Sequence, residues 1–335
     1  MGLFPLKKKN LQEISHSPSE VMSVPTDSSL PPSHVPSVRR WFRWLIGSMI
    51  VVFILGSIGA VTVVVYILPP SDPLVRKVTS VIPYPIALVN RQWITFKEFY
   101  AEQDALKRFF EQSQEDGQTA PSVDELQSDI LDTLIDKAAV QQLADRYAVS
   151  IDQKQVDDLL ASTYAQSGSE QAFLDEVHKV FGWNKEQFTV RVIEPIVLAS
   201  QVREALQKDT TMQSVPRAKV DEALERLKKN ESFADVAKDV SEDASAAEGG
   251  DIGSLHLSEM PESLAAIIPS LEPNVPSDVL ELSEVYAIVM IGERPAEGEE
   301  DPSYKISLII VNKRPLDEIV TEFLASSQVT RFLKG

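Results

Sequence analysis

The chain has 335 residues, an ordinary apolar fraction of 43% and a formal net charge of −18. So acidic a body lacks the basic face that displaces counterions from a phosphate backbone, which excludes nucleic acid as a partner. The absence of cysteine excludes disulfide staples, thiolate metal sites and cysteine nucleophiles.

The first 43 residues carry six Lys and Arg against three acids, so the negative charge lies wholly in the remainder. Residues 1–38, rich in Ser and Pro, cannot bury enough surface to order themselves and are expected as a disordered tail. From Trp44 to Leu68 the chain reads WLIGSMIVVFILGSIGAVTVVVYIL, with no charge. That run is long enough to cross a bilayer as a helix, making the lipid bilayer an expected partner through Trp44–Leu68. RRWFR stands directly before it, so the positive-inside rule leaves the N-terminus in the cytoplasm and everything from Pro69 outside. The long leader and the lack of a small-residue cleavage site favour an uncleaved anchor, spanning 39–69, over a signal peptide. Residues 70–84 then read as an extended linker.

Residues 85–215 read as mostly helical. Ala87–Val89 and Trp93–Ile94 flank Asn90-Arg91-Gln92 and predict a small hairpin. Thr95 can cap the helix that follows. Ser122 with Glu125 is a capping box before the stripe Leu126, Ile130, Leu134, Ala138, Leu143. Asp152 with Gln155 and Asn184 with Gln187 repeat the capping logic for two more helices, and Pro195 is expected to kink the second of these. Past TTMQSVP the character changes. Residues 216–295 predict two helices, a Gly-rich turn (EGGDIG), a strand, a helix and two strand-like runs. Residues 303–335 predict a strand, YKISLIIVNKR, and a last helix opened by Pro315.

SFADVAKDVSEDASAAEGGDIG, followed by Met260 and a Pro-Ser before an alternating strand, resembles the parvulin (PpiC, or rotamase) type of peptidyl-prolyl cis-trans isomerase domain. IALVNRQWITFKEFY through FGWNKEQF resembles the helical N-terminal domain of the SurA, PrsA and PpiD group of extracytoplasmic foldases. The order of the two segments, behind a membrane anchor, is similar to that group. The resemblance implies an α+β architecture: one transmembrane helix, a SurA-N-like helical domain, then a small antiparallel sheet with surrounding helices. It implies a foldase or chaperone acting on unfolded or extended polypeptide clients, placed outside the membrane.

In that family the groove holds two histidines, an Asp or Cys, a Met and a Phe. Here Asp243 and Met260 keep their positions, Leu264 stands for the Phe, and Ala287 stands for the histidine of the last strand. Ile252 would enter the core beside the groove. The strand that carries the other histidine is missing before Arg217. YKISLIIVNKR resembles it, so the sheet is expected to be permuted, with 304–312 as its central strand and Leu308 at the histidine position. His256 is the histidine nearest the groove, at no family position. The resemblance therefore leaves two readings, an isomerase and a client-binding chaperone or scaffold without turnover.

Isomerisation twists a partial double bond with a barrier of roughly 20 kcal/mol and breaks nothing, so it calls for no cofactor or metal. GGDIG lacks the Lys and Ser/Thr of a phosphate loop, and the acids at 296–301 lack the spacing of a calcium loop.

Overall fold

A computed structural model describes residues 38–113, 121–295 and 299–332. The expected disordered tail therefore lies outside the described residues. The chain divides into two compact units, one ending at Ala60 and one from Val61 onward.

The first unit holds most of helix α1 (Val38–Ile67). Its segment Trp44–Ile67 has a mean hydropathy of 2.7 and is long and apolar enough to cross a membrane. The two serines in this stretch satisfy themselves locally. Ser48 and Ser57 donate to Leu45 and Phe53 carbonyls one turn back, at 2.9 and 2.8 Å.

In the second unit the end of α1 is built into the core. Val65 is buried, and Tyr66 donates to the Pro85 carbonyl at 2.8 Å. The stretch 70–84, expected as an extended linker, instead contains helix α2 (Pro73–Thr79). Asp72 caps it and Pro73 occupies the first turn, where a missing N–H costs nothing. Val75 and Thr79 are fully packed.

Strands β1 (Pro85–Val89) and β2 (Gln92–Thr95) form the expected hairpin, with Asn90 at φ 56° in the turn. Helices α3 (Phe96–Ser113), α4 (Val123–Arg146), α5 (Gln153–Gln166), α6 (Glu170–Phe181) and α7 (Lys185–Phe188) follow. Of the three expected capping pairs, Ser122 with Glu125 and Asn184 with Gln187 form full boxes, whereas Asp152 caps through the Lys154 N–H and forms no box with Gln155. Beyond α7 there is a π-helical turn, Thr189–Ile193, and then α8 (Glu194–Lys208). The expected kink at Pro195 is thus replaced by a wide turn before it, which leaves Pro195 in the first turn of a new helix.

Helices α9 (Ser214–Lys228) and α10 (Phe233–Val240) precede the second sheet. Its strands are β3 (Asp251–His256), β4 (Leu280–Glu281), β5 (Val285–Ile291) and β6 (Ser303–Asn312), with the short helix α11 (Glu262–Ala265) between β3 and β4. The strand order is β3-β6-β5-β4, all antiparallel. The strand 303–312 therefore sits in the middle, beside β5, as the permuted arrangement requires. One face of the sheet packs Tyr286, Ile288, Ile309 and Val311 against Val220, Leu227, Phe233 and Val236 of α9 and α10.

The chain then returns to the helical half. Helix α12 (Leu316–Ser326) packs Ile319 and Val320 against Leu143, Leu198 and Val202. Strand β7 (Val329–Arg331) joins β1 to give a three-stranded sheet ordered β2-β1-β7. Two side chains tie the crossings between the halves together. Gln213, fully buried, donates to the Leu206 carbonyl at 3.2 Å and accepts from the Arg314 N–H at 2.8 Å. Lys313, also buried, reaches Glu281 at 3.0 Å and lies over the Tyr286 ring.

Candidate functional site

The second face of the four-stranded sheet gathers most of the residues singled out in the sequence. Met260, Leu308, Leu264 and Ile252 belong to one apolar cluster with Ile268, Val289, Ile291, Tyr304 and Ile306. Ala287 lies on the same face, paired with Ile310 on one side and Leu280 on the other. Leu308 is opposite Val289 rather than Ala287, two residues along the same strand pair. Met260, Ala287 and Leu308 are only 8, 1 and 7% exposed. Leu264 and Ile252 are half-buried at the margin.

The glycines place this face. Gly249 and Gly250 have φ of 74° and 80°, open to glycine at no steric cost. A Cβ on Gly250 would lie 2.3 Å from the Leu308 carbonyl oxygen, so the turn into β3 can lie against β6 only without a side chain. Past that turn the edge of β6 is closed by its neighbours. Leu308 N–H donates to the Gly250 carbonyl, Ile310 N–H to Ser241 Oγ, and Asn312 N–H to Glu242 Oε2. No backbone donor is left for an added strand there.

The two polar candidates do not reach this face. Asp243 caps the turn Ala244–Glu248, accepting from the Ser245 N–H and hydroxyl at 2.8 and 2.5 Å, and these bonds hold its carboxyl below the usual range. His256 is exposed on the far side of β3. Its Nδ1 meets the Asp301 carbonyl at 3.1 Å, which raises its pKa. Among the described residues no histidine belongs to this cluster, in which Tyr304 is the side chain that carries a hydroxyl.

A second feature, which the sequence reading assigned no residues to, lies in the helical half. Two adjoining cavities of about 350 and 400 Å³ share Lys137, Gln141, Val190 and Pro195. Their floor is Leu134, Ala138 and Val140 of α4, Ile94 of β2, and Leu198 of α8. Trp93 stands at one end, 60% exposed, where the hairpin turns it out of the core. Val190, 53% exposed, is pushed to the surface by the π-helical turn, and Ile151 closes the other end at 40%. Such local widening of a helix often marks a functional position. Contiguous apolar side chains this exposed are a liability in a monomer unless something binds them.

The rim is charged. Glu102 is shared by Lys137 at 3.5 Å and Arg191 at 3.8 Å, and Arg191 also covers the Trp183 ring. Glu98 accepts from the Thr95 N–H and hydroxyl. Asp136 is raised above the usual carboxylate range, first by burial and then by Asp132, although Arg331 opposes the shift.

A helical body with a small hairpin, closed by the C-terminal strand and joined to a four-stranded sheet with a Gly-Gly turn, defines a class: foldases and chaperones that carry a parvulin-like domain. The chain belongs to the family described as SurA-like N-terminal domain, whose model matches residues 39–215, over half its length. A second model, the PPIC-type PPIASE domain, matches residues 196–293 and ends before the strand that occupies the middle of the sheet.

Among curated relatives, the chain is 25% identical to the foldase protein PrsA of Halalkalibacterium halodurans over 60% of its own length and 68% of that protein. It is 26% identical to the chaperone SurA of Saccharophagus degradans over 56% of its length, and spans about half, 52%, of that chaperone. Among solved structures it matches the PrsA peptidylprolyl isomerase of Bacillus anthracis at 18% identity. That match covers 58% of this chain and 86% of the other, with a TM-score of 0.19.

Proposed function

We propose that this chain is a membrane-anchored extracytoplasmic chaperone that holds unfolded polypeptide in the cleft between Trp93 and Ile151, with a PPIC-type domain that serves as a scaffold rather than as an isomerase. The family assignment and the foldase and chaperone relatives support the class. The apolar helix Trp44–Ile67 supports anchoring, with the N-terminus in the cytoplasm and the body outside. The holding domain is 85–215 completed by α12 and β7, and the scaffold is 216–295 completed by β6.

The observation that carries the choice of site is the contrast in exposure. Trp93 and Val190 are more than half exposed, whereas Met260, Ala287 and Leu308 are closed off. A client segment reaches the first set without unfolding anything and the second only by opening a packed face. Asp243, Ile252, Met260, Leu264, Ala287 and Leu308 act as fold determinants, and His256 has no part in turnover.

The test is a photo-crosslinking side chain placed at Val190 or at Leu264 of the full chain in nanodiscs, with a labelled unfolded client. Capture at Val190 and little at Leu264 is the expected result. Capture at Leu264 alone would move the client site to the sheet and refute the assignment.

A further inference from the structure

The client cleft has an unbalanced rim. Its two cations are already committed, since Lys137 and Arg191 both face Glu102. Arg331, the cation that acts on Asp136, is itself ion-paired with Asp132 at 2.6 Å. Asp136 and Glu194 both line the same 350 Å³ cavity, beside Val140, Val190 and Leu198. Among the described residues neither carboxylate has an ion pair or a side-chain hydrogen bond. Asp136 is exposed at the rim and Glu194 half-buried beside it, so a cation carried on a bound segment can meet both carboxylates where they line the cavity.

We propose that the cleft selects extended apolar segments that carry a lysine or arginine beside the apolar run, the apolar side chains covering Val190 and Leu198 and the cation meeting Asp136 and Glu194. This rests on the cleft being the client site. The apolar floor supplies the affinity, which is shared by any hydrophobic segment. The two carboxylates supply the selection, because a flanking glutamate would face them as a like charge. Ion pairs at a partly wet rim are weak, so a ratio of about five-fold between cationic and anionic flanks is expected, shrinking with added salt.

The experiment uses the full chain in zwitterionic nanodiscs and three fluorescent peptides with one apolar core, flanked by Lys, Ser or Glu, read by anisotropy. The expected order of affinity is Lys, then Ser, then Glu, with the Lys-to-Glu ratio falling as salt rises. In Asp136→Asn/Glu194→Gln that ratio collapses toward one, and in Glu194→Lys, which sets one base against the remaining acid, it also falls toward one. General attraction to the acidic chain would survive these changes, so an undiminished ratio in the double variant overturns the proposal. Equal binding of all three peptides to the wild type overturns the selection while leaving the cleft as a client site. If none binds, the cleft reading fails and the proposal with it. Should the double variant misfold, the single variant Glu194→Lys still decides the matter, an undiminished ratio there overturning the proposal.

Discussion

Gly250→Ala tests the permuted sheet most locally. In the structure the added Cβ would lie 2.3 Å from the Leu308 carbonyl oxygen and 3.1 Å from Ala237 Cβ. The oxygen belongs to the backbone of the central strand, and Leu308 N–H is bonded to the Gly250 carbonyl at 2.8 Å. Neither partner can move without opening that bond, worth about 1 kcal/mol net. The left-handed backbone adds about 1 to 2 kcal/mol for a residue with a Cβ. With the clash itself, the loss is expected at about 3 to 4 kcal/mol, at the severe end for a single methyl group. Gly253→Ala is the matched control. Its φ is 81°, but a Cβ there meets nothing within 4 Å, so only the backbone cost of about 1 to 2 kcal/mol applies. Urea unfolding of the two full-length variants in the same micelles, followed by tryptophan fluorescence and far-UV dichroism, reads the difference. Equal midpoints for the two variants would mean that Gly250 does not lie against β6, and the reasoning fails.

Further outcomes follow from the same geometry. In a protease-coupled assay on an X-Pro peptide the full chain should run at the buffer rate, and measurable acceleration would show that the sheet face retains turnover. Gln213→Ala orphans the Arg314 N–H at a fully buried site and takes from the Leu206 carbonyl one of its two donors, the Asp209 N–H remaining. It should cost about 1 to 3 kcal/mol and speed amide exchange at 206–214 and 314–320; unchanged exchange at both segments would show that Gln213 ties nothing. Tyr147 donates to Asp209 at 2.7 Å. That bond, with two backbone N–H groups, lowers the Asp209 pKa, while burial and Asp209 push Tyr147 up to about 12. A lowered carboxyl stabilises fully above its unfolded value near about 4 and loses this as pH falls through its folded value. A raised phenol stabilises fully below about 10 and loses this as pH climbs to about 12. Asp209→Asn should flatten the acid limb of the urea midpoint against pH, and Tyr147→Phe the alkaline one. Limbs identical to wild type would refute the linkage.

What could be read in the sequence was whatever has a local signature. The capping pairs Ser122–Glu125 and Asn184–Gln187 marked two helix starts, and YKISLIIVNKR read locally as a strand, whose central place came from its resemblance to the strand missing before Arg217. Helix α2 carried its own signal, Asp72 followed by Pro73, but the prolines around it suggested an extended chain instead. Strand β7 is three residues long and exists only because β1 offers an edge some 240 residues earlier, which no local window shows. The cleft was illegible for a related reason. Trp93, Val190 and Ile151 look like core residues in sequence, and only the packing of α4 against α8 leaves them outside. The π-helical turn that exposes Val190 sits in a β-branched run, TVRVI, before Pro195, and that pairing is the one trace of it in the sequence.

The account depends most on a holding site in the helical half, and the direct measurement is light scattering by a chemically unfolded client mixed with the full chain in nanodiscs. Wild type should suppress aggregation, and Trp93→Asp/Val190→Asp, two changes at already exposed positions, should abolish suppression while dichroism and elution volume stay as in wild type. Undiminished suppression by the double variant, or none by wild type, would contradict it.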